Sequence, residues 1–199
     1  IATRVSSFHV CAPGTEKSRV SVSSTTSKEE STVGRLKLIP TCLVTEMKIP
    51  DNIIQQCFDH GLECYPEEAC GFISGPEEEN PESLSVHPME NIINRLHQQN
   101  PENYPRTAKD GYMIDPLEQL KLERQLKESG HQIRVIYHSH PDVGAYFSEK
   151  DIEDALWDGR PRYPGVVYLV CGVRKGKEDG AILAEFDHQT GGFNTITLC

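Results

Sequence analysis

The chain has 199 residues and a net charge of -10, with 37% hydrophobic and 25% charged residues. These values are ordinary for a globular domain that can bury a core of normal size. Residues 47–199 carry the acidic excess, with 14 basic against 26 acidic side chains. Nucleic acids and anionic membranes need basic surfaces, so we expect neither as a partner. No apolar run approaches the roughly 20 residues that span a bilayer.

The seven cysteines are odd in number and irregular in spacing, and no CxxC pair occurs among them. A four-thiolate zinc site therefore does not fit the sequence. Reduced and mostly buried thiols are the simpler interpretation, and they are typical of cytoplasmic proteins. We accordingly expect a cytoplasmic location.

The first segment differs in composition from the rest of the chain. Thirteen of the first 35 residues are Ser or Thr, and large apolar residues are few. Such a segment cannot bury enough apolar surface to offset the entropy of ordering. The sequence therefore predicts a Ser/Thr-rich, disordered arm or linker over 1–40 and one domain over 41–199.

Apolar periodicity then predicts the first elements of the domain. "IPDNIIQQCFDHG" reads as a helix with Pro50 at its start and Gly61 as its stop. "ACGFISG" reads as a short buried strand and "LSVHPMEN" as another. The polar stretch 91–114 is predicted to be a long irregular loop, and loops of this length are usually functional or flexible.

The second half continues the alternation of helices and strands. "DPLEQLKLERQLKESG" reads as a helix capped by Asp115, with Glu118 completing a capping box and Gly130 ending it. "IRVIYHSH" is predicted as a strand and "SEKDIEDALWDG" as a helix. "GVVYLVCGV", "AILAEFD" and "FNTITL" read as closing strands. The fold class that follows is mixed α/β, with helices flanking a curved sheet.

The stretch "VIYHSHPDVGAYFSEKD" combines side chains that can bind zinc. Residues two apart on a strand share a face, so His138 and His140 project together and Ser139 points the other way. Asp151 is three residues after Ser148, where it either completes a capping box or binds a metal. Each feature alone also fits a purely structural interpretation. Together, two histidines and one carboxylate leave a position open for water, which is typical of catalytic zinc.

"EACGFISG" at 68–75 followed by "HSHPDVGAYFSEKD" at 138–151 resembles the JAMM (MPN+) metalloproteases. The resemblance runs from about residue 47 to 199. It implies the fold of that family, a mostly antiparallel curved sheet flanked by helices and similar to cytidine deaminases. It also implies that Zn²⁺ is held by His138, His140 and Asp151.

The same resemblance implies two catalytic residues and a class of substrate. Glu68 would be the general base for water, in preference to its neighbour Glu67, and Ser148 would donate a hydrogen bond to that water or to the oxyanion. The family cleaves peptide or isopeptide bonds after the tail, often Gly-Gly, of ubiquitin-like proteins. The chain lacks room for a long insertion after Asp151, so it resembles compact prokaryotic members that act on ubiquitin-like or sulfur-carrier proteins.

Several alternatives stay open from the sequence. A small-amide zinc hydrolase would show a closed pocket, and a non-catalytic scaffold of the same fold would lack part of the residue set. Tyr146 and Phe147 either line the substrate channel or pack onto the domain. Cys70, close to Glu68, reads as a buried packing residue and not as a nucleophile.

Overall fold

A computed structural model describes residues 47–76 and 83–198. The predicted arm over 1–40 lies outside the described residues, so the domain boundary at 40/41 stays a prediction. Within the described residues the chain forms four helices and eight strands. In chain order they are α1 (Asp51–Cys64), β1 (Cys70–Pro76), β2 (Ser85–Met89), α2 (Ile93–Gln99), α3 (Pro116–Glu128), β3 (His131–Pro141), α4 (Glu149–Ala155), β4 (Leu156–Trp157), β5 (Arg160–Pro161), β6 (Val167–Arg174), β7 (Lys177–Asp187) and β8 (Gly192–Leu198).

Six of the described strands form one sheet in the order β2-β1-β3-β6-β7-β8. Every neighbouring pair is antiparallel except β3 and β6, which are parallel. The remaining strands of the described part, β4 and β5, form a separate two-stranded ribbon. The mixed α/β class with a mostly antiparallel sheet is therefore confirmed.

Alternation along β3 divides the core between the two faces of the sheet. Val135 and Tyr137 join the core cluster that contains the buried face of α1. Ile136 belongs to the opposite cluster, with Phe72 and Tyr168. Because side-chain direction repeats every two residues, His138 and His140 lie on the face of Ile136.

The first helix continues through the glycine that was expected to stop it. α1 ends at Cys64, and Gly61 is buried within it. A Cβ at Gly61 would lie 3.1 Å from the Cβ of Ser139 and 3.2 Å from a methyl group of Val173. Gly61 therefore lets the helix approach the sheet closely, and the prediction of a helix end there was wrong.

Two further sequence predictions need correction. The stretch 91–114 is not wholly irregular, because it contains the short helix α2. Asp115 does cap α3, since its carboxylate accepts a hydrogen bond from the Leu117 N–H at 2.9 Å. Glu118 forms no capping box and instead pairs with Lys121 at 2.6 Å.

The last predicted helix is shorter than expected. α4 ends at Ala155, and a two-residue turn at Asp158 and Gly159 then connects β4 to β5. Both turn residues have positive φ, 51° and 71°. An Asp-Gly pair with two positive φ angles is the turn that tight hairpins favour. The local Asp-Gly signal thus prevails over the helical pattern.

Candidate metal centre

The end of β3 and the start of α4 bring three potential metal ligands together. The Nε2 atoms of His138 and His140 are 3.0 Å apart. The Asp151 carboxylate oxygens lie 3.3 Å from the Nε2 of His138 and 3.8 Å from that of His140. Both histidines are buried, at 0% and 5% exposure. The three side chains therefore converge on one point.

Asp151 completes the capping box of α4 and also faces the two histidines. The Ser148 Oγ accepts a hydrogen bond from the Asp151 N–H at 3.1 Å, and the Ser148 N–H donates to the Asp151 carboxylate at 2.7 Å. The two interpretations of this residue are therefore compatible. The cap fixes the carboxylate in the direction of His138 and His140.

The geometry of the cluster fits zinc. Zinc lies about 2.0–2.2 Å from imidazole nitrogen and carboxylate oxygen, so neighbouring ligand atoms of a tetrahedral site are about 3.3–3.5 Å apart. The observed separations of 3.0, 3.3 and 3.8 Å bracket that value. Two nitrogens and one oxygen are also a donor set that zinc accepts.

Glu68 lies just before β1 and reaches the same cleft. β1 pairs antiparallel with β3 so that Cys70 is opposite His138, which carries the preceding segment to the metal cluster. The Glu68 side chain is buried, at 6% exposure, and lines the cleft with His140, Ser148 and Asp151. Its neighbour Glu67 is exposed and accepts a hydrogen bond from Asn94 at 2.9 Å. Of the two neighbouring glutamates, only Glu68 has its carboxyl in the cleft beside the cluster.

Polar contacts fix the backbone around Glu68. Ser139, which points away from the histidines as expected, accepts a hydrogen bond on Oγ from the Ala69 N–H at 2.9 Å. The Ser139 N–H donates in turn to the Ala69 carbonyl at 2.9 Å. Asn91 donates to the Glu68 carbonyl at 3.0 Å. The segment that carries Glu68 is thus tied to both β3 and the loop after β2.

The electrostatic environment shifts the pKa values of these groups in different directions. Burial raises the pKa of Glu68 to about 7, and the charges of Asp151 and Asp110 add to this while His138 opposes it. Burial, assisted by His138, lowers the pKa of His140 to about 4. Burial would raise the pKa of Asp151, but hydrogen bonds with His138 and Ser148 outweigh it and hold the pKa below its usual value. Burial lowers the pKa of His138, but its hydrogen bond and charge interaction with Asp151 outweigh burial and raise it. Metal binding needs the carboxylate ionised and both imidazoles neutral, so a metal ion here would displace a proton from His138.

The cluster opens into a cleft of about 640 Å³. The segment 103–113 forms one wall, and Tyr146 stands beside the cluster with its ring 4.9 Å from that of His140. Tyr146 is half exposed, at 49%. Phe147 points elsewhere and packs 4.9 Å from Phe193 and 5.2 Å from Tyr168. Tyr146 therefore lines the cleft, whereas Phe147 belongs to the domain core.

Two residues of the site escaped the sequence analysis. Tyr112 stacks on His138 with ring centroids 4.8 Å apart. Asn91 donates to the carbonyls of Glu68 and Gly111 and accepts from the N–H groups of Ile93 and Met113. An asparagine directly after a strand was the available signal, because its amide can join several backbone segments.

The loop after His140 is held by Asp142. This residue has a φ of 65°, which is rare for a non-glycine residue. Its carboxylate accepts hydrogen bonds from the Tyr65 hydroxyl at 2.9 Å and the Lys175 N–H at 2.8 Å. The α1–β1 loop, the end of β3 and the β6–β7 turn are joined at this point.

The cysteines of the described part are free thiols, namely Cys57, Cys64, Cys70 and Cys171. Cys70 is fully buried, and burial raises the pKa of its thiol. A thiol in this state is a poor nucleophile. The packing interpretation of Cys70 therefore agrees with the structure.

Comparison with known proteins identifies the class of this protein. Residues 50–184 match the family described as prokaryotic homologs of the JAB domain, and the chain belongs to that family, the prokaryotic branch of the JAMM/MPN proteins. The predicted recognition is thus confirmed. Among the described residues, no helix has the length and apolar character to cross a membrane.

Curated relatives are 28–32% identical to this chain within the aligned segments. A probable TtuB-protein conjugate cleaving protease of Thermus thermophilus is 32% identical over 63% of this chain and 72% of its own length. A desampylase of Haloferax volcanii is 28% identical over 61% of this chain and 73% of its own. A CysO-cysteine peptidase of Mycobacterium tuberculosis is 30% identical over 51% of this chain and 60% of its own length. All three names are those of proteases or related cleaving enzymes.

Solved structures share the fold. A protein from Salinibacter ruber is 27% identical, and its alignment covers 75% of this chain and 88% of that protein's chain with a TM-score of 0.50. A protein from Desulfitobacterium hafniense is 20% identical, and its alignment covers 74% of this chain and 88% of that protein's chain with a TM-score of 0.51.

Proposed function

We propose that the protein is a zinc metallopeptidase that hydrolyses the peptide or isopeptide bond after a Gly-Gly-type tail of a ubiquitin-like or sulfur-carrier protein. The observation that carries the proposal is the cluster of His138, His140 and Asp151 with the buried Glu68 carboxyl in the same cleft. The names of the relatives support it, since they refer to TtuB-protein conjugates, desampylation and CysO-cysteine. Free thiols in the described residues support a reducing, cytoplasmic compartment.

His138, His140 and Asp151 would hold the zinc ion. When bound there, zinc supplies a Lewis acid that polarises the scissile carbonyl and makes water acidic enough to attack at neutral pH. The protein's contribution is a rigid set of ligands. Asp151 is fixed by the helix cap, and the two histidines are fixed by the pairing of β3 with β1 and β6.

Glu68 would move the proton. Its pKa of about 7 lets the carboxyl take a proton and release it again at neutral pH. The attacking water loses a proton to this carboxylate, and the amine that leaves receives it. Burial keeps the carboxyl away from bulk solvent, so the proton stays within the site.

Ser148 would stabilise negative charge on the carbonyl oxygen. Its Oγ already accepts the hydrogen bond from the Asp151 N–H. The hydroxyl hydrogen remains available to donate into the cleft that Ser148 lines. A donor aimed at developing charge commonly contributes a factor of about 10²–10³ to the rate.

The tail would lie between the segment 103–113 and Tyr146. These are the walls of the 640 Å³ cleft, and its rim carries exposed apolar side chains at Met113, Val143 and Tyr146. An extended Gly-Gly tail has no side chains beyond its backbone, so it needs a channel of this kind and no large side-chain pocket. The complete set of five polar residues also argues against a non-catalytic scaffold.

The test uses intact mass spectrometry of ubiquitin extended by one alanine after its terminal Gly-Gly, incubated with the zinc-loaded protein. We expect loss of the alanine with the unmutated protein. Glu68→Gln should slow cleavage by about 10²–10⁴-fold, because it removes the proton acceptor. Glu67→Gln, which alters the neighbouring exposed carboxylate, should cut at the normal rate.

Zinc content should be close to one ion per chain in all three proteins, because neither glutamate is a predicted ligand. An intact substrate in the presence of bound zinc would contradict the proposed function. Equal cleavage by the Glu68→Gln protein would contradict the assignment of the base.

A further inference from the structure

A small cavity lies directly beside the metal cluster. It has a volume of about 160 Å³ and lies between α3, α4 and the segment that follows the β4–β5 ribbon. Its lining and that of the main cleft share Tyr112, Met113, Asp151 and Asp154. A ligand whose reacting bond is at the cluster could therefore extend into this cavity.

The cavity contains a buried hydroxyl that the described residues leave unsatisfied. Tyr168 is 5% exposed, and its hydroxyl oxygen has no hydrogen-bond partner among these residues. Burial raises the pKa of this hydroxyl to about 12, so it remains a donor. Leaving such a group without a partner destabilises the folded chain. A ligand acceptor in the cavity would remove that cost.

A guanidinium lines the same cavity. Arg162 forms no ion pair with a carboxylate of the described residues, and its guanidinium lies over the Trp157 ring at 5.5 Å from the centroid. The nearest acidic lining residue along the chain, Asp154, is already paired with Lys150. The positive charge of Arg162 is thus available to an anion from outside.

The size and the walls restrict the ligand further. The cavity is small, about 160 Å³ against about 640 Å³ for the main cleft, which suits a ligand of the size of a single residue. Its walls include the apolar Phe72, Ile136 and Ala155 and, where the cavity adjoins the main cleft, the carboxyl groups of Asp151 and Asp154. The Tyr168 hydroxyl and the Arg162 guanidinium are donors that line this cavity, and together they suit the free carboxylate of a single amino acid with a small side chain.

We propose that this cavity binds the leaving group of the reaction, a single C-terminal amino acid whose α-carboxylate is recognised by Arg162 and Tyr168. This inference rests on the proposed function and makes it specific. The enzyme would cut a peptide bond next to a free C-terminus in preference to an isopeptide bond within a protein conjugate. The bond between the glycyl carbonyl carbon and the amine nitrogen breaks. Water supplies the hydroxyl to the carbon and the proton to the amine.

Binding can be measured without turnover, because Trp157 is the sole tryptophan of the chain and lies under Arg162. The probe is the tripeptide Gly-Gly-Ala, as the free acid and as the C-terminal amide, added to zinc-loaded protein that carries Glu68→Gln. We expect a saturable change in tryptophan fluorescence, with the acid binding at least tenfold more tightly than the amide. Equal affinity of acid and amide, or no binding of either, would overturn the inference.

Three variants in the same background test the assignment of residues. Arg162→Met should abolish the preference for the acid, and Tyr168→Phe should weaken binding of the acid while preserving the ring. Arg124→Met removes an exposed charge of α3 outside the cavity and should retain the preference. Loss of the preference in the Arg124→Met protein as well as in the Arg162→Met protein would point to overall charge and would overturn the proposed contact.

Cleavage separates this inference from the proposed function. Ubiquitin-Ala with a free carboxylate should be cut at least tenfold more efficiently than its carboxamide by the protein with Glu68 intact. If both are cut equally, the function stands and the leaving-group site is wrong. If Gly-Gly-Ala binds with the expected preference but neither protein substrate is cut, the site stands and the proposed function fails.

Discussion

Ser139 stands between the two candidate ligand histidines and connects β3 to the segment that carries Glu68. Its Oγ accepts from the buried Ala69 N–H, and the side chain is 2% exposed. Ser139→Ala leaves that N–H without a partner, so we expect a loss of about 1–3 kcal/mol in the free energy of unfolding. Urea denaturation measures the change. Ser85→Ala, on the exposed edge strand β2, should stay within about 0.5 kcal/mol, and an equally small effect of Ser139→Ala would contradict the argument.

Ser148 has two separable contributions, one to the helix cap and one to catalysis. An N-cap serine replaced by alanine costs about 0.5–2 kcal/mol of stability, whereas glycine costs only a few tenths. Both replacements remove the hydroxyl donor. We therefore expect Ser148→Ala and Ser148→Gly to lower kcat by a similar factor, about 10²–10³, while only the alanine variant loses much stability.

Thermal unfolding and single-turnover cleavage of the two Ser148 variants provide the comparison. If only the destabilised Ser148→Ala variant lost activity and Ser148→Gly kept it, the hydroxyl would contribute through the helix cap and not through catalysis.

At the scale of elements, β1 depends on a glycine where three strands meet. Gly71 pairs with Pro88 of β2 and Tyr137 of β3. A Cβ there would lie 2.5 Å from the His87 carbonyl oxygen and 2.6 Å from the Tyr137 ring. Neither group can move away easily, because one is backbone and the other is fully buried.

We expect Gly71→Ala to destabilise the protein by about 3 kcal/mol, the upper part of the range for overpacking. Gly75→Ala in the same strand is the matched control. Its Cβ would meet the end of the Leu84 side chain at 2.6 Å, and that side chain can rotate away. Gly75→Ala should therefore lose less than half as much free energy of unfolding as Gly71→Ala. Chemical denaturation measures both losses, and a larger loss for Gly75→Ala would contradict the argument.

At the scale of the whole molecule, two partly buried histidines make stability depend on pH. Burial lowers the pKa of His60, which bonds to the Tyr137 hydroxyl at 2.9 Å, and of His87, which bonds to Ser74 at 2.8 Å. The unfolded chain therefore binds more protons than the folded one below the unfolded pKa of about 6.5. Their contribution to stability is complete above that pH and is lost as the pH falls from there through the lower pKa of the folded state.

In the zinc-free protein we expect this histidine contribution to the free energy of unfolding to fall between about pH 7 and pH 5, while the raised pKa of Glu68 acts in the opposite direction and is the same in a His87 variant. His87→Gln keeps a polar side chain opposite Ser74 but cannot titrate, so its loss of stability over the same range should be smaller. Urea denaturation at several pH values measures both slopes. Identical slopes would show that His87 does not contribute.

Local rules were sufficient for much of the site. Strand alternation put His138 and His140 on one face and Ser139 on the other, and capping rules put Asp151 beside Ser148. These rules involve residues only a few positions apart, so they can be applied to the sequence without knowledge of the fold. The same rules failed at Gly61, where close approach to β3 explains the glycine, and in 91–114, where the contacts of Asn91 and Asn94 to other segments hold the loop around α2.

The position of Glu68 was decided by the tertiary structure. The sequence alone could select this glutamate only through a family resemblance, because nothing local relates it to histidines 70 residues further along the chain. The pairing of Cys70 with His138 brings it to the cluster, and burial in the cleft raises its pKa to about 7. Likewise, the Tyr168 and Arg162 side chains share a cavity only because β6 and the segment after α4 pack together. The spacing of HxHP, Ser and Asp was determined by the sequence, whereas the partners of that motif depend on strand pairing and burial, which are properties of the folded chain.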